Sequence, residues 1–120
     1  MGIRVRYIVD DIDEAIDFYT THLDFQVDMH PAPGFAALSH GDLTLFLNAP
    51  GAGGAGRAGG DPRPGGWNRF QIEVPDIDET VRRMRAGSVG FRGELVEGNG
   101  GRQVLVEDPA GNPIELFERY

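Results

Sequence analysis

The sequence predicts an α+β fold built from two β-α-β-β-β units, and three observations support this prediction. Residues 9–14 and 74–79 share five of six identities at an offset of 65, which is the signature of a repeated unit. Each copy lies where strand-like alternation gives way to helical spacing. The chain also closes with two apolar-rich segments around residues 108–112, a turn sequence typical of a hairpin.

In the first half, residues 3–9 alternate as a strand, and Asp11 can cap a helix that ends near Leu23 and Asp24. Apolar residues recur along this helix at the spacing of one buried stripe. Three further strands are expected, at 25–29, stopped by the proline-rich residues 31–34, and at 35–38 and 43–47, joined by a turn at 39–42.

The second half repeats this order. Asp76 opens its helix, and Gly87 is the expected stop. In the closing turn, Pro109 pre-sets φ and Gly111 can adopt a positive φ without steric cost. Strands are expected at residues 69–74, 91–96, 103–107 and 113–118, with a turn at 98–101.

Between the halves lies a segment of unusual composition. Residues 50–66 contain eight glycines and three prolines, too few apolar groups to order themselves, so we expect a mobile linker. Residues 51–56 match the dinucleotide pattern G-x-G-x-x-G, but no helical pattern follows to receive a phosphate. We therefore expect one domain of residues 1–120, with units at 1–49 and 67–120.

Composition limits the classes of function. The 120 residues carry a formal charge of −8, which disfavours nucleic acid and anionic membranes as partners. Cysteine is absent, which excludes disulfides, thiolate catalysis and zinc sites built from cysteine. No apolar segment is long enough to span a membrane and no signal peptide precedes the first strand, so a cytoplasmic protein is expected.

The repeat, the helix-start motif and the closing hairpin together resemble the vicinal oxygen chelate superfamily, which includes glyoxalase I, extradiol dioxygenases, fosfomycin-resistance enzymes and bleomycin-resistance proteins. The resemblance covers nearly the whole chain outside residues 50–66. It implies a glyoxalase/bleomycin-resistance-like fold in which two units form a curled mixed sheet around a cleft. It also implies a homodimer and a small-molecule ligand in that cleft.

Metal-dependent members of this superfamily hold a divalent ion through four positions, early and late in each unit. Carried onto this chain, the late position of the second unit is Glu115. The early positions are Arg4 and Arg69, which cannot deprotonate and repel a cation. The late position of the first unit is Thr44, Leu45 or Phe46, depending on the hairpin register. We therefore predict no metal cofactor, with Glu115 the one ligand if there is any.

Other potential metal ligands do not compensate for these losses. The three histidines, His22, His30 and His40, are not at ligand spacing and are expected at the surface. Gln71 and Glu73 could supply ligands only in a different strand register.

Glu115 lies inside a core strand, where a carboxylate is costly unless it has a partner or faces a cavity. Alternation places it with Arg69 on the face opposite the helices, and we expect it to pair with an arginine. Trp67 and Phe35 are the aromatic residues best placed to cover the edge of a pocket. The predicted ligand-binding residues are Arg4, Arg6, Phe46, Trp67, Arg69, Gln71, Glu115 and Phe117.

Three functions are consistent with these residues. The first is a metal-independent protein that binds a drug or metabolite in the cleft between the units. The second is a metal-dependent lyase, isomerase or dioxygenase with Glu115 as a ligand. The third is a metal-independent enzyme in which Glu115 or Glu73 acts as general base beside an arginine. The acidic surface suits a cationic ligand and the arginines suit an anionic one, so the charge of the ligand stays open.

Overall fold

A computed structural model describes residues 2–120 of the chain. The chain divides into two compact units, with the boundary between Gly65 and Gly66. Each unit combines one helix with one mixed sheet, which is curled but not closed. The predicted α+β class is therefore confirmed.

The first unit has the predicted order of one strand, one helix and three strands. Its sheet has the order β1-β4-β3-β2, in which β1 and β4 run parallel and the other neighbours run antiparallel. The elements are β1 (Arg4–Ile8), α1 (Ile12–His22), β2 (Gln26–Ala32), β3 (Phe35–His40) and β4 (Leu43–Asn48).

Helix α1 begins and ends where its local sequence predicts. The Asp11 carboxylate accepts a hydrogen bond of 3.1 Å from the backbone N–H of Glu14, which satisfies one of the unpaired donors of the first turn. The opposite end is capped at Leu23. Its buried stripe includes Tyr19, which is inaccessible to solvent and contacts Phe25 edge-to-face at 5.3 Å.

Strand β2 extends further than predicted. The sequence indicated a stop at Pro31, but the strand continues through Pro31 to Ala32. The physical reason is that β2 is an edge strand, where a residue without a backbone N–H costs no hydrogen bond on the open side.

The second unit also pairs its first and last strands in parallel, through β5 and β9, with the order β5-β9-β8-β6 and β7 paired to β8. The elements are β5 (Gln71–Glu73), α2 (Ile77–Ala86), β6 (Gly90–Phe91), β7 (Val96–Glu97), β8 (Gly101–Glu107) and β9 (Pro113–Arg119).

Two strand predictions in this unit were wrong in extent. The single strand expected at 91–96 is two short strands, Gly90–Phe91 and Val96–Glu97, because Gly93 between them has a φ of +91°, which an extended strand does not adopt. The strand expected at 69–74 is reduced to Gln71–Glu73. Backbone hydrogen bonds from Glu115 N to Phe70 O and from Val74 N to Phe117 O continue the pairing at its two ends.

Helix α2 is fixed at its N-terminus by three carboxylates. Asp76 accepts from Glu79 N at 3.0 Å, and Glu118 on β9 accepts from Ile77 N at 2.8 Å. In the first turn, Asp78 forms a two-pronged pair with Arg102. The hydrogen bond from Arg102 holds the pKa of Asp78 below its usual value.

The closing hairpin between β8 and β9 is held by the buried carboxylate of Asp108. This carboxylate accepts hydrogen bonds from the backbone N–H of Ala110 at 3.0 Å and of Asn112 at 2.9 Å, and from the Asn112 amide at 3.0 Å. Gly111 has the predicted positive φ, +91°. This turn sets the register that brings Glu115 opposite Leu105 and beside Gln71.

The glycine-rich residues 50–59 form consecutive turns, and within the described chain no helix begins at the G-x-G-x-x-G pattern. This segment belongs to the first unit, where Arg6 donates to the carbonyl of Gly53. Its predicted role as a mobile linker stays a prediction. Neither helix of residues 2–120 has the length and apolar character needed to cross a membrane.

We expect Asp108→Ala to destabilise the protein by about 2–4 kcal/mol, because it leaves three donors at a buried turn without their charged acceptor. Urea unfolding at neutral pH measures this change. The exposed Glu94→Ala is the control and should change stability by less than about 0.5 kcal/mol. Equal effects of the two substitutions would contradict the role assigned to Asp108.

Candidate functional site

The face of each sheet opposite its helix, called here the helix-free face, carries the residues predicted to bind a ligand. In the first unit this face includes Arg4, Arg6 and Phe46, and in the second it includes Gln71 and Glu115. Burial patterns support this assignment, because the intervening residues are the buried core residues.

Glu115 is the buried charged group of the second unit's helix-free face. It lies on β9, is 8% exposed, and has Gln71 of β5 as its register partner. Arg69 contacts one carboxylate oxygen through Nε at 2.9 Å and through Nη2 at 2.8 Å. Gln71 donates to the other oxygen at 2.6 Å. The expected pairing of Glu115 with an arginine is thus present, and both carboxylate oxygens are engaged.

Arg69 is itself held in place from a second side. Its Nη1 donates to the backbone carbonyl of Trp67 at 3.2 Å, so three of its nitrogens have acceptors. A guanidinium and a carboxylate that fix each other with several hydrogen bonds form a rigid pair, and removal of one partner leaves a buried charge uncompensated.

Trp67 is an exposed aromatic residue of this unit, with 68% of its surface accessible. The guanidinium of Arg92 lies over its ring, with Cζ 4.7 Å from the ring centroid. Arg92 in turn donates to Glu107 at 2.6 Å and to the carbonyl of Gly111 at 2.7 Å. The indole is therefore supported from below by a side chain that cannot move freely.

Two other predicted residues of the second unit lie apart from this pair. Glu73 forms an exposed ion pair with Arg119, at 2.9 Å from Nη2. Phe117 is half-buried, and a Cβ built on Gly101 would collide with its ring, so the ring packs closely over that glycine.

The first unit presents an aromatic and cationic surface at the matching place. Arg4 and Arg6 both lie over the ring of Phe46, with Cζ 5.7 and 5.3 Å from its centroid. Phe35, on β3, meets the same ring edge-to-face at a centroid distance of 5.1 Å. Such cation–π and aromatic contacts stabilise the cluster while leaving both guanidinium groups exposed.

The strand register identifies Phe46 as the counterpart of Glu115. In the second unit Gln71 pairs with Glu115, and in the first unit Arg6 pairs with Phe46 across the equivalent parallel strands. Leu45 is excluded as the counterpart of Glu115 because it is buried among the core residues. Thr44 is excluded because it pairs with Arg4, two residues before Arg6. The place where the resemblance implied a late metal ligand is therefore occupied by a phenyl ring.

Two residues that the sequence reasoning did not select belong to these surfaces. Asn48 is 1% exposed, and among residues 2–120 neither atom of its side-chain amide has a hydrogen-bond partner. Arg92 joins Glu107 to Trp67. Strand alternation could have placed Asn48 on the same face as Phe46, because it follows that residue by two positions. No sequence signal indicated the contacts of Arg92.

A surface cavity of about 570 Å³ lies elsewhere in the first unit, where α1 begins. None of the predicted ligand-binding residues lines it. Its lining residues are Asp10, Asp11, Ile12, Asp13, His30, Pro31, Ala32 and Pro33.

The residues present do not fit a divalent metal ion. Within residues 2–120 no three histidine, aspartate or glutamate side chains come close enough to hold one. His22 and His40 contact aromatic rings, and His30 is exposed on β2. An ion at Glu115 would have to displace Arg69 and Gln71 and would face guanidinium repulsion.

Comparison with known proteins identifies the family. The family model described as the Glyoxalase/Bleomycin resistance protein/Dioxygenase superfamily matches residues 3–116. The chain belongs to this superfamily. A search among curated proteins gives no match.

Three solved structures illustrate this similarity. Lactoylglutathione lyase from Agrobacterium tumefaciens is 25% identical, with a TM-score of 0.78 over 98% of this chain and 92% of that one. TioX from Micromonospora sp. ML1 is 24% identical, with a TM-score of 0.72 over 100% and 97%. The fosfomycin resistance protein FosX from Listeria monocytogenes is 17% identical, with a TM-score of 0.77 over 100% and 94%. The last two support the fold alone.

A double-mutant cycle tests the pair at the centre of the second unit. We expect Arg69→Met and Glu115→Gln to show a coupling free energy of about 1–3 kcal/mol in urea unfolding, because the carboxylate is buried and hydrogen-bonded. The cycle of Arg119→Met with Glu73→Gln is a matched control, since this arginine–glutamate pair joins β9 to β5 but is exposed. Its coupling should stay below about 0.5 kcal/mol. Equal coupling in both cycles would refute the special status of Glu115.

Proposed function

We propose that the chain is a metal-independent small-molecule-binding protein of its superfamily. The observation that carries this proposal is that arginine and phenylalanine side chains stand at three of the four positions where metal-dependent members of the superfamily hold their ion. Phe46 stands in the first unit where Glu115 stands in the second, and Arg4 and Arg69 occupy the two early positions. Within the first unit, Arg4 and Phe46 offer hydrogen-bond donors and flat apolar surface, which suit an organic molecule better than a metal ion.

The second unit contributes a rigid aromatic platform. Trp67 exposes most of its indole while Arg92 supports the ring, so a flat ligand can stack on it without ordering a mobile side chain. Phe117 and Gln71 are the further ligand contacts proposed there. In the first unit the contacts are proposed at Arg4, Arg6 and Phe46.

A specific observation also favours an enzyme. Glu115 is a buried carboxylate on the helix-free face, and the chain is similar to a lactoylglutathione lyase at 25% identity. A metal-dependent lyase, isomerase or dioxygenase would need Glu115 as a metal ligand. The ion would then compete with the hydrogen bonds that Arg69 and Gln71 donate to this carboxylate. A metal-independent enzyme would need Glu115 as general base, through a lone pair that the hydrogen bonds from Arg69 and Gln71 leave unused.

The quaternary state belongs to the same proposal. We propose a homodimer that binds a small molecule in the cytoplasm, without nucleic acid or membrane partners. The charge of −8 favours a soluble acidic surface.

Metal analysis separates binding protein from metalloenzyme. After dialysis, we expect less than about 0.1 equivalent of divalent metal per chain by mass spectrometry. Added Zn²⁺, Ni²⁺, Co²⁺ or Mn²⁺ should raise the melting temperature by less than about 1 °C, because an ion without a site gives no linkage stabilisation. A saturable increase that Glu115→Gln abolishes would establish the metalloenzyme instead. An increase retained in that variant would indicate surface histidines.

Ligand binding can be followed through Trp67, which is the sole tryptophan of the sequence. We expect a thermal-shift screen of aromatic antibiotics and small carboxylates to yield compounds that stabilise the protein and quench its fluorescence, because a ring stacked on the indole changes its surroundings. Trp67→Phe should retain binding in calorimetry with reduced affinity. If no compound in the screen stabilises the protein, the proposed function is wrong.

A further inference from the structure

Asn48 is a polar side chain that the first unit buries without satisfying it. It is 1% exposed, and in the described part of the chain neither its Nδ2 nor its Oδ1 has a partner. Buried amides in native proteins are almost always hydrogen-bonded, so an unsatisfied one needs an explanation. Asn48 lies on the helix-free face, two residues after Phe46 and next to the strand that carries Arg6.

A glycine turn lies against this amide and against the exposed guanidinium of Arg6. The Nη1 of Arg6 donates to the carbonyl oxygen of Gly53 at 3.2 Å. A Cβ built on Gly53 would collide with both Arg6 Nη1 and Asn48 Nδ2, so the two donors converge on one place. The φ of +85° at this residue also favours glycine. A neutral carbonyl oxygen thus occupies the place beside the guanidinium that an anionic oxygen would take.

The surroundings of these donors are positive in an otherwise acidic protein. Strands β1, β3 and β4 contain no acidic residue. Seven of the eleven arginines form ion pairs within residues 2–120, but Arg4 and Arg6 have no carboxylate partner there. Their charge is therefore available to an anion from outside the chain.

We propose that Arg6 and Asn48 bind the carboxylate of an aromatic carboxylate ligand. The carboxylate displaces the Gly53 carbonyl and accepts hydrogen bonds from Arg6 and from the Asn48 amide. It also lies near a second guanidinium, that of Arg4. The aromatic ring of the ligand packs on Phe46. This inference rests on the proposed function and specifies its ligand class, resolving the charge of the ligand in favour of an anion.

The test compares 2-naphthoate with its neutral counterpart 2-naphthamide by isothermal titration calorimetry on the full chain. We expect the carboxylate to bind at least about tenfold more tightly, because only it gains charge-assisted hydrogen bonds. Arg6→Met should remove that preference while keeping the apolar stem over Phe46. Arg85→Met is the matched control, since Arg85 also lies over a phenylalanine ring, that of Phe91 in the second unit, and should leave both affinities unchanged.

Asn48→Leu provides a readout that a purely structural asparagine would not give. We expect it to weaken 2-naphthoate binding by about fivefold or more while leaving stability in urea unchanged or raised, because an unsatisfied polar group is replaced by an apolar one of similar shape. Lower stability with unchanged binding would show that Asn48 holds a structural water, which overturns the assignment.

The remaining outcomes separate the inference from the proposed function. Equal affinities for the two naphthalene compounds, or a preference that survives in Arg6→Met, overturn the carboxylate site alone. The same holds if neither compound binds while other compounds of the ligand screen do. If no compound binds at all, both the carboxylate site and the proposed function fail.

Discussion

The second unit depends on a buried carboxylate, that of Glu115, whose two oxygens both accept hydrogen bonds from neighbouring side chains. Glu115 would be costly inside β9 without partners, and Arg69 and Gln71 supply them within 3 Å. Because both oxygens are engaged, the group that could anchor a metal ion instead anchors a guanidinium. The same arginine donates to the backbone carbonyl of Trp67, so one ion pair connects the buried carboxylate to the backbone of the exposed tryptophan.

The fold supports this pair through contacts that are individually simple. Asp108 closes the hairpin that sets the register of β9, and the parallel pairing of β5 with β9 brings Gln71 level with Glu115. In the first unit the equivalent strands bring Arg6 level with Phe46. Two units of one architecture thus carry different chemistry at one position, a carboxylate in one and a phenyl ring in the other, and a superfamily fold alone does not reveal which function follows.

The features that could be predicted from the sequence are those set by neighbouring residues or by the cost of burying a charge. Asp11 and Asp76 cap their helices as expected, and the cost of burying Glu115 indicated an arginine partner before its identity was known. Other predictions were wrong or stayed open because strand alternation alone does not determine backbone conformation or strand pairing. The strand expected at 91–96 is interrupted where Gly93 adopts a φ of +91°. The choice among Thr44, Leu45 and Phe46 required the strand register, and the burial of Asn48 beneath Gly53 requires the folded turn.

Addition of a paramagnetic ion, observed at the side-chain N–H groups around Glu115, is the most direct test of whether this carboxylate binds a metal. In ¹⁵N-resolved NMR spectra, we expect titration with Mn²⁺ to leave the Nε2 signals of Gln71 and the Nε signal of Arg69 no more broadened than the Nε signal of Arg119, which pairs with exposed Glu73. Selective, saturable broadening of the signals of Gln71 and Arg69 at one equivalent of Mn²⁺ would contradict this expectation, because the ion would then be bound at Glu115.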